Sequence, residues 1–200
     1  KIEQEILRDG IKSNKKFEER AKKILDNLND QDGNKFEEGH KDLGDLMGYI
    51  SGNAKGDTEP DPWWIINDKL CIVSEDKIYD SGDKLIPSRH VRQACGHYNW
   101  IKQKVNILGP DVVIETVVIT NTRKIEDAAR IQAKELWYLN REDLIIWARK
   151  GIEAIRKLRS SFREEGDLVW RTDAIDTLIE LKVTPKDFLD LIKRTRLNDL

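Results

Sequence analysis

The segment from Asp111 to Thr120 constrains the fold of this chain more than any other part of the sequence. Valine, isoleucine and threonine fill most of it, and such β-branched residues favour extended strands over helices. The apolar residues follow one another almost without alternation, which is typical of a strand covered on both faces. We therefore expect an α/β fold in which this strand lies inside a mixed sheet and helices pack on both faces.

The rest of the sequence predicts strands and helices that alternate along the chain. The predicted helices are 1–30, 35–50, 88–105, 123–132, 141–162, 171–182 and 185–195. The predicted strands are 62–66, 70–77, 111–120 and 135–139, and residues 51–59 are expected to form a polar loop. We divide the chain into an N-terminal helical arm (1–33), a core (34–140) and a C-terminal helical extension that packs on the core (141–200).

The first two predicted strands bring charged residues together. Asp61 precedes the first strand, and the second strand ends at Glu75, Asp76 and Lys77. In a hairpin of this length, the start of one strand lies across from the end of the other, and residues two apart leave the same face. Two carboxylates can hold a hard divalent cation, and a lysine beside them suits metal-assisted attack of water on a phosphodiester. The alternative is a surface ion pair at a strand end, which would contribute little stability.

Charge and composition limit the classes of protein to which this chain can belong. The formal net charge is −2, which argues against a protein that coats nucleic acid without sequence preference and with high affinity. No run of about 18 uncharged apolar residues occurs, so we expect no contact with a membrane. The two cysteines, Cys71 and Cys95, are too few for a disulfide framework or a four-cysteine zinc site. Free thiols in a reducing compartment, and hence a cytoplasmic location, are expected.

The charged hairpin resembles the PD-(D/E)XK superfamily of restriction-endonuclease-like nucleases. Asp61 follows a proline, and the second strand carries Glu75-Asp76-Lys77. In the preceding segment, Glu38 comes before a Leu-Gly-x-Leu-x-Gly pattern at 43–48, which is similar to the first motif of nuclease domains fused to bacterial helicases. The resemblance covers about residues 35 to 140. It implies an αβββαβ core with a mixed sheet flanked by helices, with helical N- and C-terminal extensions.

The resemblance also implies a role for each motif residue. Asp61 and Glu75 would ligate Mg²⁺ or Mn²⁺, with the backbone carbonyl of Asp76 as a third ligand. Glu38 would reach the metal directly or through a water molecule. Lys77 would position the attacking water, favour its deprotonation or stabilise the charged phosphate. The predicted function is therefore that of a metal-dependent deoxyribonuclease.

The helix at 88–105 contains a partial match to a Gln-x-x-x-Tyr motif that contacts the DNA backbone in some branches of the family. Gln93 matches the start of this motif, but position 97 is a histidine and the tyrosine is Tyr98, one position late. We therefore predict that Gln93 binds DNA. The resemblance further implies a helicase or ATPase domain or subunit as a partner and a role in phage defence, and we expect a dimer.

Other interpretations stay open from the sequence alone. The same fold could bind DNA or dock a partner protein with weak or no catalysis, and RNA could be the substrate instead of DNA. Trp63 and Trp64 could stack on bases, but strand alternation favours packing in the core for at least one of them. His40 lies on the apolar stripe of its helix, which favours a packed, hydrogen-bonded histidine over a metal ligand.

Overall fold

The computed structural model describes residues 1–11, 14–54, 56, 59–106, 108–109 and 111–200. Its helices are α1 (Ile2–Asp9), α2 (Lys15–Leu28), α3 (Gly33–Leu46), α4 (Ser88–Lys104), α5 (Asp127–Arg130), α6 (Arg141–Ser161), α7 (Leu168–Glu180) and α8 (Pro185–Ile192). Its strands are β1 (Ile50–Gly52), β2 (Trp63–Asn67), β3 (Leu70–Lys77), β4 (Leu85–Ile86), β5 (Val113–Thr120), β6 (Lys124–Ile125) and β7 (Trp137–Asn140). Short 3-10 helices lie at Gln132–Glu135 and Leu197–Asp199.

Five strands of the described residues form one mixed sheet in the order β1-β2-β3-β5-β7. Neighbours β1 and β2, and β2 and β3, are antiparallel, whereas β5 is parallel to β3 on one side and to β7 on the other. The strand predicted to lie inside the sheet is therefore confirmed. β4 and β6 form a separate parallel pair.

Side chains alternate between the two faces of the sheet, and each face is covered by helices. On one face, Trp64, Ile72 and Ile119 belong to a cluster that includes apolar residues of α1, α2, α3 and α6 to α8. On the opposite face, the buried side chains of Cys71 and Val73 pack against Ile101 of α4. Helices on both faces explain why the strands read as nearly continuous apolar runs.

Close packing between α3 and β2 fixes the helix against the hairpin. A Cβ atom at Gly44 would collide with the indole of Trp64 and with the hydroxyl of Ser51, so only glycine permits this approach. The Trp64 Nε1–H donates a hydrogen bond to the backbone carbonyl of His40 at 3.2 Å. This contact positions the polar face of α3 at the end of the hairpin.

Three predicted elements differ from the structure. The helix predicted for 35–50 ends at Leu46, because Gly48 adopts a positive φ of 80°, and a short strand, β1, follows it. Residues 55, 57 and 58 of the loop predicted to follow lie outside the described residues. The helix predicted for 1–30 is interrupted after α1, where Gly10 has a φ of 84°. The helix predicted for 123–132 is replaced by β6, α5 and the start of a 3-10 helix.

The fold class predicted from the sequence is confirmed: a five-stranded mixed sheet is flanked by helices. When β4, which lies outside the five-stranded sheet, is left aside, the order α3-β1-β2-β3-α4-β5 is the αβββαβ order of the restriction-endonuclease-like fold. Helices α1, α2 and α6 to α8 pack into the same apolar cluster as the sheet, so the division into arm, core and extension stays a prediction. No helix among the described residues is long and apolar enough to cross a membrane.

Candidate active site

Three oxygen atoms surround the ammonium group of Lys77 at the carboxyl end of β3. The Lys77 Nζ atom lies 2.9 Å from Asp61 Oδ2, 3.0 Å from Glu75 Oε1 and 3.1 Å from the backbone oxygen of Asp76. These three oxygens belong to the groups that the resemblance to the nuclease superfamily implies as metal ligands. We call Asp61, Glu75, Asp76 and Lys77 the acidic cluster.

The hairpin brings Asp61 to the cluster. Its carboxylate accepts a hydrogen bond from the backbone N–H of Asp76 at 2.6 Å. One residue after Asp61, the carbonyl of Pro62 accepts hydrogen bonds from both the backbone N–H and the hydroxyl of Ser74, at 3.1 and 2.7 Å. The segment before β2 is thus tied to β3 by side chains as well as by the ladder.

The acidic cluster is mostly withdrawn from solvent. Glu75 is fully buried, and Asp61 and Asp76 have exposed fractions of 8% and 2%. Because buried charges are costly unless they are paired, the ion pairs with Lys77 are needed to keep these carboxylates inside the protein. The surface ion-pair interpretation of Glu75 and Lys77 is therefore excluded.

Burial and mutual repulsion alter the acidities of the cluster. Burial raises the pKa of Asp61 to about 7, and the neighbouring Asp76 and Glu75 carboxylates raise it while the Lys77 ammonium lowers it. Burial lowers the Lys77 pKa, but Asp61 and Glu75 outweigh it, so the Lys77 pKa is raised above its ordinary value. Lys77 therefore stays protonated near neutral pH, whereas Asp61 is close to its midpoint of protonation.

Glu37 of α3 is a further acid in this region. It lines a cleft of about 870 Å³ together with Asp61, Lys77 and Gln93. Burial raises the Glu37 pKa to about 7, and the charges of Asp61 and Asp76 add to the effect. Its carboxylate accepts a hydrogen bond of 3.4 Å from Asn53 Nδ2.

Glu38, the residue predicted from the sequence, also lines the cleft, but its carboxylate is engaged elsewhere. It accepts hydrogen bonds from Lys23 Nζ at 2.7 Å and Asn27 Nδ2 at 3.3 Å, both on α2. The cause is the packing of α2 on the next residue, Gly39, where a Cβ atom would come within 2.8 Å of the Asn27 Cβ atom. Since successive helix residues differ by about 100°, Glu37 is then directed towards Asp61.

Each acid of the Glu75-Asp76 pair contacts a buried histidine. His40 Nδ1 lies 2.8 Å from Asp76 Oδ2, and its ring meets that of Trp64 edge-on with centroids 4.6 Å apart. The expectation that His40 is a packed, hydrogen-bonded histidine is confirmed. On the other face of the sheet, His97 Nε2 lies 2.6 Å from Glu75 Oε2. The sequence analysis did not find this pair, although His97 shares the apolar face of α4 with Ala94 and Ile101.

Gln93 lines the cleft beside Asp61 and Lys77, one helical turn before His97. Tyr98 lies on the exposed side of α4, where Lys102 Nζ is 5.8 Å from its ring centroid. Trp64 is buried in the core as expected, whereas Trp63 is partly exposed and packs against Trp100 with centroids 5.5 Å apart. Of these side chains, Gln93 is therefore the one that shares the cleft with the acidic cluster.

The chemistry of the acidic cluster fits a hard divalent cation. Carboxylate and carbonyl oxygens are the ligands that Mg²⁺ and Mn²⁺ prefer, and the Lys77 ammonium acts as a stand-in cation at their centre. Glu75 Oε1 and Asp76 Oδ1 are buried and accept no well-aligned hydrogen bond among the described residues. Within the same part of the chain, no group of three or more His, Cys, Asp or Glu side chains is already arranged around a metal position. A cation would have to replace the ammonium.

Comparisons with known proteins add little to this description. No family model matches the chain, and no curated protein matches it either. Among solved structures, that of the restriction endonuclease FokI is similar, with a TM-score of 0.48 and 13% sequence identity. The match covers 82% of this chain and 33% of that structure, so the chain spans about a third of its length.

Proposed function

We propose that this protein is a metal-dependent nuclease that hydrolyses phosphodiester bonds in DNA. The observation that carries the proposal is the convergence of Asp61, Glu75 and the Asp76 carbonyl on one cationic centre, with Lys77 as the cation. A buried ion pair alone does not need three oxygens from two strands around one point. Burying like charges together in a cleft usually reduces stability. Such an arrangement is therefore typical of a functional site.

The chain's own residues suit the roles that hydrolysis requires. Asp61, Glu75 and the Asp76 carbonyl would hold Mg²⁺ or Mn²⁺. When bound, the cation supplies positive charge against the attacked phosphate and acidifies nearby water. Of the two candidate acids on α3, Glu37 is better suited than Glu38 to approach the cation, because it lines the cleft with Asp61 while the carboxylate of Glu38 is bonded to α2.

Lys77 would leave its central position when a cation binds and would remain beside Asp61 and Glu75. There its ammonium can orient the attacking water and stabilise the negative charge that grows on the phosphate. Gln93 faces the cleft and carries an amide that can hydrogen-bond a phosphate oxygen, which suits it to positioning the DNA backbone.

The first test is a calorimetric titration of Mn²⁺ into wild type and into Asp61→Ala, followed by a plasmid-nicking assay with Mg²⁺. We expect wild type to bind Mn²⁺ and nick the plasmid, and Asp61→Ala to lose both. Lys77→Ala should bind Mn²⁺ without nicking, which also excludes a contaminating nuclease. Normal cleavage by Asp61→Ala would overturn the proposal, and competition with unlabelled RNA would identify the preferred nucleic acid.

A second candidate is a nuclease fold that binds DNA or a partner protein without catalysis. It is favoured by one observation: side chains of the chain itself, Lys77, His40 and His97, already pair with the acids of the cluster. DNA binding by wild type, with no Mn²⁺ binding at millimolar concentration in the presence of DNA, would support it.

The partner and the oligomeric state are also proposals. A helicase or ATPase domain or subunit, and a role in phage defence, rest on the resemblance of the 36–48 segment to helicase-fused nucleases. Co-purification with a tagged helicase would test the first, and light scattering at several protein concentrations would test a dimer.

A further inference from the structure

His97 is a fully buried histidine in the middle of α4, and its contact with Glu75 joins the helix to the acidic cluster. The imidazole Nε2 atom lies 2.6 Å from Glu75 Oε2, and both side chains have an exposed fraction of 0%. The other ring nitrogen, Nδ1, has no hydrogen-bond partner among the described residues. Val73, two residues before Glu75 on β3, and Ile101, one helical turn after His97 on α4, belong to the same buried apolar cluster.

The proton positions follow from the chemistry of the two groups. An ionised carboxylate only accepts hydrogen bonds, so His97 Nε2 carries a hydrogen and donates it to Glu75. Nδ1 then carries a lone pair when the ring is neutral. An unpaired acceptor is better tolerated in an apolar site than an unpaired N–H donor.

This hydrogen bond divides the two oxygens of Glu75 between different tasks. Oε2 is held by His97 on α4, whereas Oε1 lies 3.0 Å from Lys77 Nζ. Any rotation of the carboxylate about its last bond, other than the half turn that exchanges its two equivalent oxygens, would break the bond to His97. The imidazole therefore fixes the direction in which Oε1 points.

We propose that His97 is a positioning residue, which fixes Glu75 so that its Oε1 atom faces the cation position. The inference rests on the proposed function, because it assigns a task to His97 at the same site. Since His97 is buried beneath Glu75, it does not contact the nucleic acid. It acts through the carboxylate, as outer partners of metal ligands do.

The test compares two amide substitutions that differ in reach. The amide nitrogen of a glutamine side chain can approach the position of the histidine Nε2 atom, whereas that of an asparagine falls near Nδ1. His97→Gln should therefore keep the hydrogen bond to Glu75, and His97→Asn should lose it. Both variants place an amide at the same buried position, so general effects of polarity are matched.

We expect His97→Asn to raise the dissociation constant for Mn²⁺, measured by calorimetry on the full chain, by about 10- to 100-fold. For His97→Gln, the dissociation constant should stay within about threefold of the wild-type value, because most of the bond to Glu75 is retained. A threefold change is less than the roughly 1.4 kcal/mol that corresponds to a tenfold change. In nicking assays, His97→Asn should lower kcat without changing KM for DNA. His90→Gln, on the same helix but bonded to the Tyr79 hydroxyl at 2.8 Å, is the control and should bind Mn²⁺ as wild type does.

Several results would overturn the inference. One is a folded His97→Asn variant that binds Mn²⁺ as tightly as wild type, and another is an equal loss of affinity in the Asn and Gln variants. A third is the failure of both variants to fold, which thermal unfolding in chelator would detect. His97 would then have a structural role only. The proposed function fails separately, when wild type and Asp61→Ala bind Mn²⁺ equally or not at all.

Discussion

Two neighbouring carboxylates at the end of β3 make the same kind of contact on opposite faces of the sheet, with different results. Glu75 meets His97 of α4 at 2.6 Å, and Asp76 meets His40 of α3 at 2.8 Å. The second oxygen of Glu75 contacts Lys77, whereas Asp76 joins the cluster only through its backbone N–H and carbonyl. The comparison teaches that one acid–histidine pair directs a side chain into the site, while the other anchors the backbone that passes through it.

The largest expected difference is between Glu75→Gln and Asp76→Asn. Glu75→Gln should abolish nicking and weaken Mn²⁺ binding by more than about 100-fold, because losing a ligand exceeds the effect of losing its outer partner. Asp76→Asn keeps the backbone carbonyl and an oxygen that can bond to His40, so nicking should persist. Calorimetry and plasmid nicking measure both effects. If both variants lose Mn²⁺ binding equally, the contrast between the two faces is wrong.

The next largest effect is expected for Lys77→Met, which removes the ammonium but keeps much of the aliphatic side chain. Nicking should fall by about 10²- to 10³-fold, as for the loss of one donor that stabilises a transition state. Mn²⁺ should bind at least as tightly as to wild type, because the cation no longer competes with the Lys77 ammonium. Weaker Mn²⁺ binding would show that Lys77 helps to form the metal site rather than standing in for the metal.

Substitution of two adjacent residues on α3 tests which acid serves the site from that face. Glu37→Gln should lower nicking by about tenfold or more, since its carboxylate interacts with Asp61. Glu38→Gln removes an exposed ion pair with Lys23. The nicking rate and the equilibrium constant for unfolding should therefore each change by no more than about twofold. If Glu38→Gln lowers nicking more than Glu37→Gln does, Glu38 is the acid that serves the site, as predicted from the sequence.

The smallest expected effect is that of pH on the stability of the metal-free protein. The pKa values of Asp61 and Glu37 are both raised to about 7, so the folded state binds more protons than the unfolded state below that pH. Their contribution to stability is therefore present at low pH and is lost as pH rises from about 4 to about 7. In chelator, Tm should fall by at least about 2 °C between pH 5 and pH 8 through these groups.

The control for the pH effect is Asp61→Asn, which carries no ionisable group at this position. Its Tm in chelator should depend less on pH than that of wild type, measured by scanning calorimetry in the same buffers. An identical pH dependence would mean that Asp61 is not protonated in the metal-free fold. Wild-type Mn²⁺ binding should also weaken below pH 7, because protons then compete for Asp61.

The hairpin and the acidic residues at its end could be predicted from the sequence because the information is local. Strand alternation and turn length bring Asp61 near Glu75 and Lys77 without knowledge of any other element. The apolar run at 111–120 likewise predicted β5 and its burial on both faces. By contrast, β1 has three residues and no alternation of its own, so its only evidence is the pairing with β2.

The helical side of the site was harder to predict because it depends on rotation about helix axes. The choice between Glu37 and Glu38 is decided by α2, which packs against Gly39 and provides Lys23 as a partner. His97 meets Glu75 only because α4 crosses β3 at that turn. Neither contact has a signal in the spacing of residues along the chain, although the place of His97 among the apolar residues of α4 could have indicated that it is buried.

The ammonium of Lys77 at the centre of the acidic cluster also bears on the order in which the protein is assembled. Many small metal-binding domains cannot fold until their ion arrives, since the ligands repel one another without it. Here a residue of the same strand supplies the missing positive charge, so we expect the chain to fold whatever the supply of metal. A chelating agent should then stop the proposed nuclease activity but leave the fold intact.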